Sequence, residues 1–257
     1  MAGRLKRVVW GVVLGAVLAL GGAVPSMAQT LSIGILPDPG VLVSQARSSI
    51  DNAGQNLETS LVDITAVDAP VMGTHNGKAA MGAEQRCGQG VIIDPSGIIA
   101  TNKHIVGEAP QHIYVMLAGG RKFEAKVVQN SQTDLALIKI DAPSPLRAVA
   151  LGDSSRVQVG NRVHAFANAG SNPQREKSGE VIQVYAEKSS NTAAILEVNI
   201  RLKPGDSGGP ILNEQGLLLG LIMANQISDT TKSYAVASNK IQQEYLRYKG
   251  STLISSL

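Results

Sequence analysis

Ser207 stands in the run Lys203-Pro204-Gly205-Asp206-Ser207-Gly208-Gly209-Pro210-Ile211-Leu212. A serine between glycines adds almost no apolar area, and glycine weakens any regular element that contains it. Such a loop suits chemistry better than packing, because its backbone N–H groups can face a developing oxyanion while a free hydroxyl stands beside them. The alternative is a tight turn, because Asp, Ser, Gly and Pro are also turn formers. A serine hydroxyl is a poor nucleophile until a base takes its proton. The chain has four histidines, His75, His104, His112 and His164. His104 follows Ala100-Thr101-Asn102-Lys103, where an apolar strand ends, so a strand-to-turn corner displays it. His75 falls in a loop, His112 in the approach to a strand and His164 within an alternating strand. His75 and His112 read as exposed polar residues and His164 as a half-buried one. Asp134 lies directly ahead of the apolar run Leu135 to Ile140. A carboxylate there is costly to bury without a partner. A histidine Nδ1–H is a suitable one, because the carboxylate fixes the tautomer and stabilises the imidazolium.

The elements that must hold these groups are short strands. Val91 to Ile93, Ile98 to Ala100, Ile113 to Leu117, Phe123 to Val128 and Leu135 to Ile140 are apolar or alternating. Turns at Asp94-Pro95-Ser96-Gly97 and Ala118-Gly119-Gly120-Arg121 join them. Beyond Ala142-Pro143-Ser144-Pro145, a stiff connector, a second series begins. It comprises Val163 to Ala167, Glu180 to Tyr185, Ala194 to Val198, Ile211-Leu212, Leu217 to Asn225 and Ser233 to Ala237. Strand series of this spacing predict an all-β sandwich or a pair of barrels. Upstream, Leu61 to Val67 alternates as a strand does, and Met72 to Gln85 has no periodicity and reads as a mobile loop. Val41 to Leu57 has apolar residues three or four apart, a short amphipathic helix interrupted by Gly54. Ser238 is a candidate N-cap for a last helix, Asn239 to Arg247, with Gly250 ending it.

Composition narrows the function classes. Aromatics make up 3% of the 257 residues against 44% hydrophobic, so the core must be Val, Ile, Leu and Ala. The formal charge of +3 comes from Arg4, Lys6 and Arg7 in a stretch, residues 1–28, without Asp or Glu. The remainder is neutral and gives no reason to expect nucleic acid or an anionic membrane as partner. The positive start, the apolar run Val8 to Val24 and the small residues before Gln29 read as a signal peptide over 1–28. A retained membrane anchor is the alternative, marginal in length for a span. Export to the periplasm or the exterior follows. Cys87 is the only cysteine, so no internal disulfide forms, and it reads as a small buried residue. No metal site is expected, and no cofactor.

The chain order His104, Asp134, Ser207, with two β-rich halves, resembles that of chymotrypsin-like serine proteases. The local sequences resemble one branch, the HtrA/DegP family: GVIIDPSGIIATNKHIV, GGRKFEAKVVQNSQTDLALIKI, KPGDSGGPILNEQGLLLGL and SYAVASNKI match its motifs in the same order. The similarity covers roughly Leu61 to Leu246. It implies two six-stranded antiparallel β-barrels with a short N-terminal and a C-terminal helix. The domain division it implies is a leader over 29–60 and a protease domain over 61–248. Barrel one would span about 61–142, barrel two about 150–237, and a C-terminal helix 239–247. It further implies a serine endopeptidase acting on unfolded or damaged polypeptides, with His104, Asp134 and Ser207 as triad. The N–H groups of Gly205 and Ser207 would form the oxyanion hole. The resemblance also implies a homotrimer, although the N-terminal segment lacks the aromatics that usually staple it.

There are departures from the family pattern. Asp206 replaces the usual Asn. Phe166-Ala167-Asn168-Ala169-Gly170 replaces a Gly-Asn-Pro stretch, and Gln226 to Lys232 is a short specificity loop. The family's PDZ domains are not expected after the last helix. By resemblance the substrate pocket floor lies near Arg201. A small aliphatic preference is the expectation, and an acidic one the alternative if the Arg201 cation points inward. Two rival functions stand beside the protease. One is a catalytically silent or partner-activated scaffold on the same fold. The other is an exported esterase, but the α/β-hydrolase type places Ser first in chain order, in a strand-to-helix elbow.

Overall fold

The computed structural model describes residues 57, 59–68, 71–75, 78–82, 85–108, 110–167, 175–187, 193–203, 205–225 and 231–255. The signal peptide and, apart from Leu57, Thr59 and Ser60, the leader with its amphipathic helix lie outside the described residues. The strands are β1 (Leu61–Val67), β2 (Val71–His75), β3 (Lys78–Gly82), β4 (Gln85–Asp94), β5 (Ile98–Thr101), β6 (His112–Met116), β7 (Lys122–Asn130) and β8 (Ala136–Ile140). They continue with β9 (Arg162–Ala167), β10 (Arg175–Ala186), β11 (Ala193–Val198), β12 (Pro210–Leu212), β13 (Leu218–Asn225) and β14 (Ser233–Ala237). One helical turn, α1 (Lys103–Val106), follows β5, and a longer helix, α2 (Ser238–Ser255), ends the described chain.

Two closed antiparallel barrels result, with strand order β1-β4-β5-β8-β7-β6 in the first and β10-β11-β14-β13-β12-β9 in the second. This is the fold class the resemblance implied. The first barrel is filled by β-branched and small side chains, among them Val62, Ile64, Ile92, Ile99, Val115, Ile138 and Ile140. Val163, Val181, Leu196, Val198, Ile211 and Ile222 fill the second. A third cluster occupies the seam. Val91, Ile98, Ala100, Leu135 and Leu137 of the first barrel meet Phe166, Leu212, Leu218, Leu221 and Val236 of the second, with Ile241 of α2. This explains why β5 is apolar without alternation. Ile99 faces the barrel interior while Ile98 and Ala100 face the seam, and all three are fully buried. A strand buried on both faces needs apolar residues at every position.

Three expectations are corrected. Residues 72–85 are not one irregular loop: β2 and β3 pair as a two-stranded sheet from Val71↔Gly82 to His75↔Lys78. The segment lacks apolar alternation because backbone pairing, rather than burial of one face in a barrel, defines these strands. Cys87 is exposed rather than buried, with Sγ 3.9 Å from Thr65 Oγ1. The reason is register: Cys87 lies opposite Thr65 on β1, whose neighbours Ile64 and Ala66 take the inward face. The last helix runs through Gly250 to Ser255. A glycine there lowers helix propensity by about 1 kcal/mol but does not by itself break the ladder. Ser238 opens the helix, and its hydroxyl donates to Gly152 O (2.7 Å), tying the helix start to the connection between β8 and β9.

Candidate active site

His104 sits on α1, in the connection that leaves β5. The corner is built by its predecessors. Thr101 Oγ1 donates to Gln89 O (2.7 Å), and Asn102 Nδ2 donates to Asp134 O (3.0 Å); both residues are fully buried. The turn's far end is held by Arg86, which donates to Ile105 O and Val106 O (both 3.2 Å) and forms a two-pronged ion pair with Asp68. Ile105 and Val106 anchor it in the core of the first barrel.

Asp134 grips His104 at two points. Oδ1 accepts from the His104 backbone N–H (2.9 Å), and Oδ2 lies 2.7 Å from Nδ1. An ionised carboxylate can only accept, so Nδ1 carries the proton and Nε2 is left with a free lone pair. That is the tautomer a general base needs. The Asp134 side chain is 22% exposed and the imidazole 49%, so the acceptor nitrogen's ring is reachable from solvent.

The serine loop is fixed to both barrels. Gln89 N on β4 donates to Ser207 O (2.8 Å), Gly208 N donates to Ile222 O (2.8 Å), and Ile222 N donates to Gly209 O (2.8 Å). The fit leaves no room for side chains. Gly208 has φ +82°, and a Cβ there would fall 1.8 Å from Gln89 O. At Gly88 a Cβ would meet Ile105 Cδ1 at 2.3 Å and Ser207 O at 3.1 Å. Within the loop, Asp206 N donates to Lys203 O (3.0 Å) and Gly209 N to Asp206 O (3.1 Å). The Asp206 carboxylate accepts from Lys203 N (2.8 Å) and from Lys177 Nζ (3.1 Å). Among the described residues, the N–H groups of Gly205 and Ser207 are not used by these bonds. Ser207 is half-buried, and no hydrogen bond joins its Oγ to His104 among the described residues.

Arg201, the residue expected near the pocket floor, is exposed. His112 opens β6, with Nδ1 2.8 Å from Glu124 Oε1 and its ring stacked on Tyr114. His164, on β9, has Nδ1 2.6 Å from Glu176 Oε1, and its Nε2 is buried without a partner. The side chain of His75 lies outside the described residues. No cluster of metal-binding side chains occurs among the described residues. Sequence reasoning missed Gln89, Arg86 and Lys177. The first acts through its backbone, which no residue-type pattern reports, and the other two act on partners far away in the chain.

The trypsin-like peptidase domain family matches residues 88–221, just over half of the chain. The periplasmic pH-dependent serine endoprotease DegQ of Escherichia coli K12 is 32% identical over 160 residues, covering 59% of this chain and 35% of that protein. The periplasmic serine endoprotease DegP of Salmonella typhimurium is 34% identical over 162 residues, with shares of 60% and 34%. The serine protease Do-like HtrA of Lactobacillus helveticus is 28% identical over 217 residues, with shares of 79% and 52%. The chain thus spans about a third to a half of the length of these relatives. Among solved structures, the HtrA-type protease AlgW with a decapeptide aligns with a TM-score of 0.66 at 20% identity, covering 77% of this chain and 66% of that one. A serine endoprotease from Yersinia pestis aligns at 0.59 and 24%, with shares of 77% and 65%. These two likenesses are of fold. On the family match, with the barrels and the serine loop placed as described, this chain belongs to the trypsin-like peptidase family.

Proposed function

We propose that the protein is an exported serine endopeptidase that hydrolyses unfolded or damaged polypeptides. The observation that carries this reading is the two-point hold of Asp134 on His104, with the serine loop and the histidine corner both bonded to Gln89 of β4. In the proposed reaction His104 Nε2 takes the Ser207 proton as Oγ attacks the peptide carbonyl. Asp134 keeps Nδ1 protonated and stabilises the imidazolium. The N–H groups of Gly205 and Ser207 receive the oxyanion, each worth about 3–4 kcal/mol of transition-state stabilisation. The imidazolium then protonates the leaving amine, and the acyl-enzyme forms. Water repeats the cycle, giving its proton to His104 and its oxygen to the acyl carbon. No metal or cofactor takes part in these steps.

The relatives named periplasmic support an exported location. The exposure of Arg201 supports a small aliphatic rather than an acidic preference at the pocket. A homotrimer remains part of the proposal, checked by sedimentation. The partner-activated scaffold is the second reading, and the lack of a Ser207 Oγ hydrogen bond to His104 favours it. Resting hydrolases also show loose catalytic hydrogen bonds that tighten only with substrate. Casein hydrolysis by the wild type, lost in Ser207→Ala, supports the protease. A wild type that binds casein without cleaving it would leave the scaffold.

A further inference from the structure

Asp206 is a carboxylate one residue ahead of Ser207, and only 1% of its side chain is exposed. Burial on that scale demands a partner. Its Oδ2 has two: the Lys203 N–H inside the loop at 2.8 Å and the Lys177 ammonium at 3.1 Å. Lys177 comes from β10, far from the loop in sequence. Strand register explains how it arrives. Lys177 lies opposite Ala165 on β9, and Ala165 lies opposite Ile211 on β12. Residues opposite one another share a face, and Ala165 and Ile211 are both fully buried in the second barrel's core. Lys177 therefore sits on the inward face. Its neighbours Glu176 and Ser178, on the other face, are exposed and gather around His164. Its side chain stays 28% exposed, so the ammonium keeps some water while it pairs with the fully buried carboxylate.

The consequence concerns the loop backbone. Asp206 donates its N–H to Lys203 O and offers its own carbonyl to Gly209 N, while its carboxylate takes Lys203 N. These bonds set the turn from which the N–H groups of Gly205 and Ser207 emerge. The geometry points to Lys177 as a positioning residue: by neutralising the buried Asp206 carboxylate, it holds the Gly205–Ser207 backbone in the form that receives an oxyanion. Without Lys177 the carboxylate must leave its pocket for water, and it carries the turn with it. An asparagine at 206 would keep the Lys203 N–H bond through its Oδ1 and would not need the cation. The consequence for rate rests on the protease reading above; the consequence for loop order does not.

The test is a double-mutant cycle of Lys177→Met and Asp206→Asn in the full chain, read two ways. Hydrogen exchange of the peptide spanning 203–212 reports loop order. The rate at which a fluorophosphonate probe labels Ser207, with kcat and KM on casein, reports the site. Lys177→Met is expected to speed exchange in that peptide, and to slow labelling and kcat, by about tenfold or more, with KM little changed. Added to Asp206→Asn, whatever that variant's own rates, Lys177→Met is expected to change neither reading by more than about twofold. Equal losses in both backgrounds would overturn the proposal, as would an unchanged loop in Lys177→Met. Should Lys177→Met fail to fold, a folded double variant supports the coupling and an unfolded one refutes it. A wild type that never labels refutes the protease reading alone, and the exchange cycle still decides the role of Lys177.

Discussion

Gln89 shows how one backbone unit serves both halves of the site. Its N–H goes to Ser207 O and its carbonyl takes the Thr101 hydroxyl at the histidine corner. The serine and histidine are therefore positioned against the same residue, which lies on a strand of the first barrel. That arrangement makes Gly208 sensitive. Gly208→Ala adds a methyl 1.8 Å from Gln89 O at a φ that alanine rarely adopts. We expect it to cost at least about 1–3 kcal/mol of stability and most activity, read by thermal melting and casein hydrolysis. A variant with wild-type melting and rate would contradict the placement of the loop. Asp134→Asn removes the two-point hold in a different way. The amide can keep a contact to Nδ1 while favouring the wrong tautomer, and we expect kcat to fall by roughly ten-thousandfold with the melting temperature nearly unchanged.

At the scale of elements, α2 is fastened to the first barrel through Asp94, the last residue of β4. Tyr245 Oη donates to its carboxylate, Lys249 Nζ lies 3.4 Å away and Ser96 N donates at 2.7 Å. Burial alone would raise this carboxyl's pKa. The hydrogen bonds from Ser96 and Tyr245 and the Lys249 ammonium outweigh burial and hold it well below the usual carboxylate value of 3.8. A depressed carboxylate stabilises the fold above its unfolded value, and that contribution disappears as pH falls through and below it. The melting temperature should therefore drop between about pH 4 and pH 2, and Asp94→Asn should remove part of that drop. Identical acid profiles for the two proteins would contradict this role. Much of the barrel framework is legible in the sequence, because strands with one buried face alternate and strands in the seam read as unbroken apolar runs. The β2–β3 sheet is not, because it is defined by backbone pairing without a barrel face. The end of α2 is not legible either, because a glycine such as Gly250 looks like a stop signal and yet only weakens a helix. At the site, the triad candidates are legible from residue type and chain order. The tethers from Arg86, Gln89 and Lys177 depend on which strands become neighbours, and no local spacing encodes that.

For the whole molecule, the seam decides how the two barrels behave. Leu137 is fully buried there, among Val91 and Leu135 from its own barrel and Leu218 and Val236 from the other. Leu137→Ala should cost about 2–5 kcal/mol, in the range for a fully buried leucine. It should lower one cooperative transition in calorimetry, because the seam joins both barrels. Two resolved transitions would show barrels that unfold separately. The proposed site spans that seam too, with His104 and Asp134 on the first barrel and Ser207 on the second, so reactivity at Ser207 would report on the assembled whole. The most direct measurement is fluorophosphonate labelling of the native protein, with the modified residue mapped by mass spectrometry. We expect one phosphonylated residue, Ser207, and its loss on heat unfolding and in His104→Ala. A native protein that stays unlabelled, even with unfolded casein present, would contradict the account.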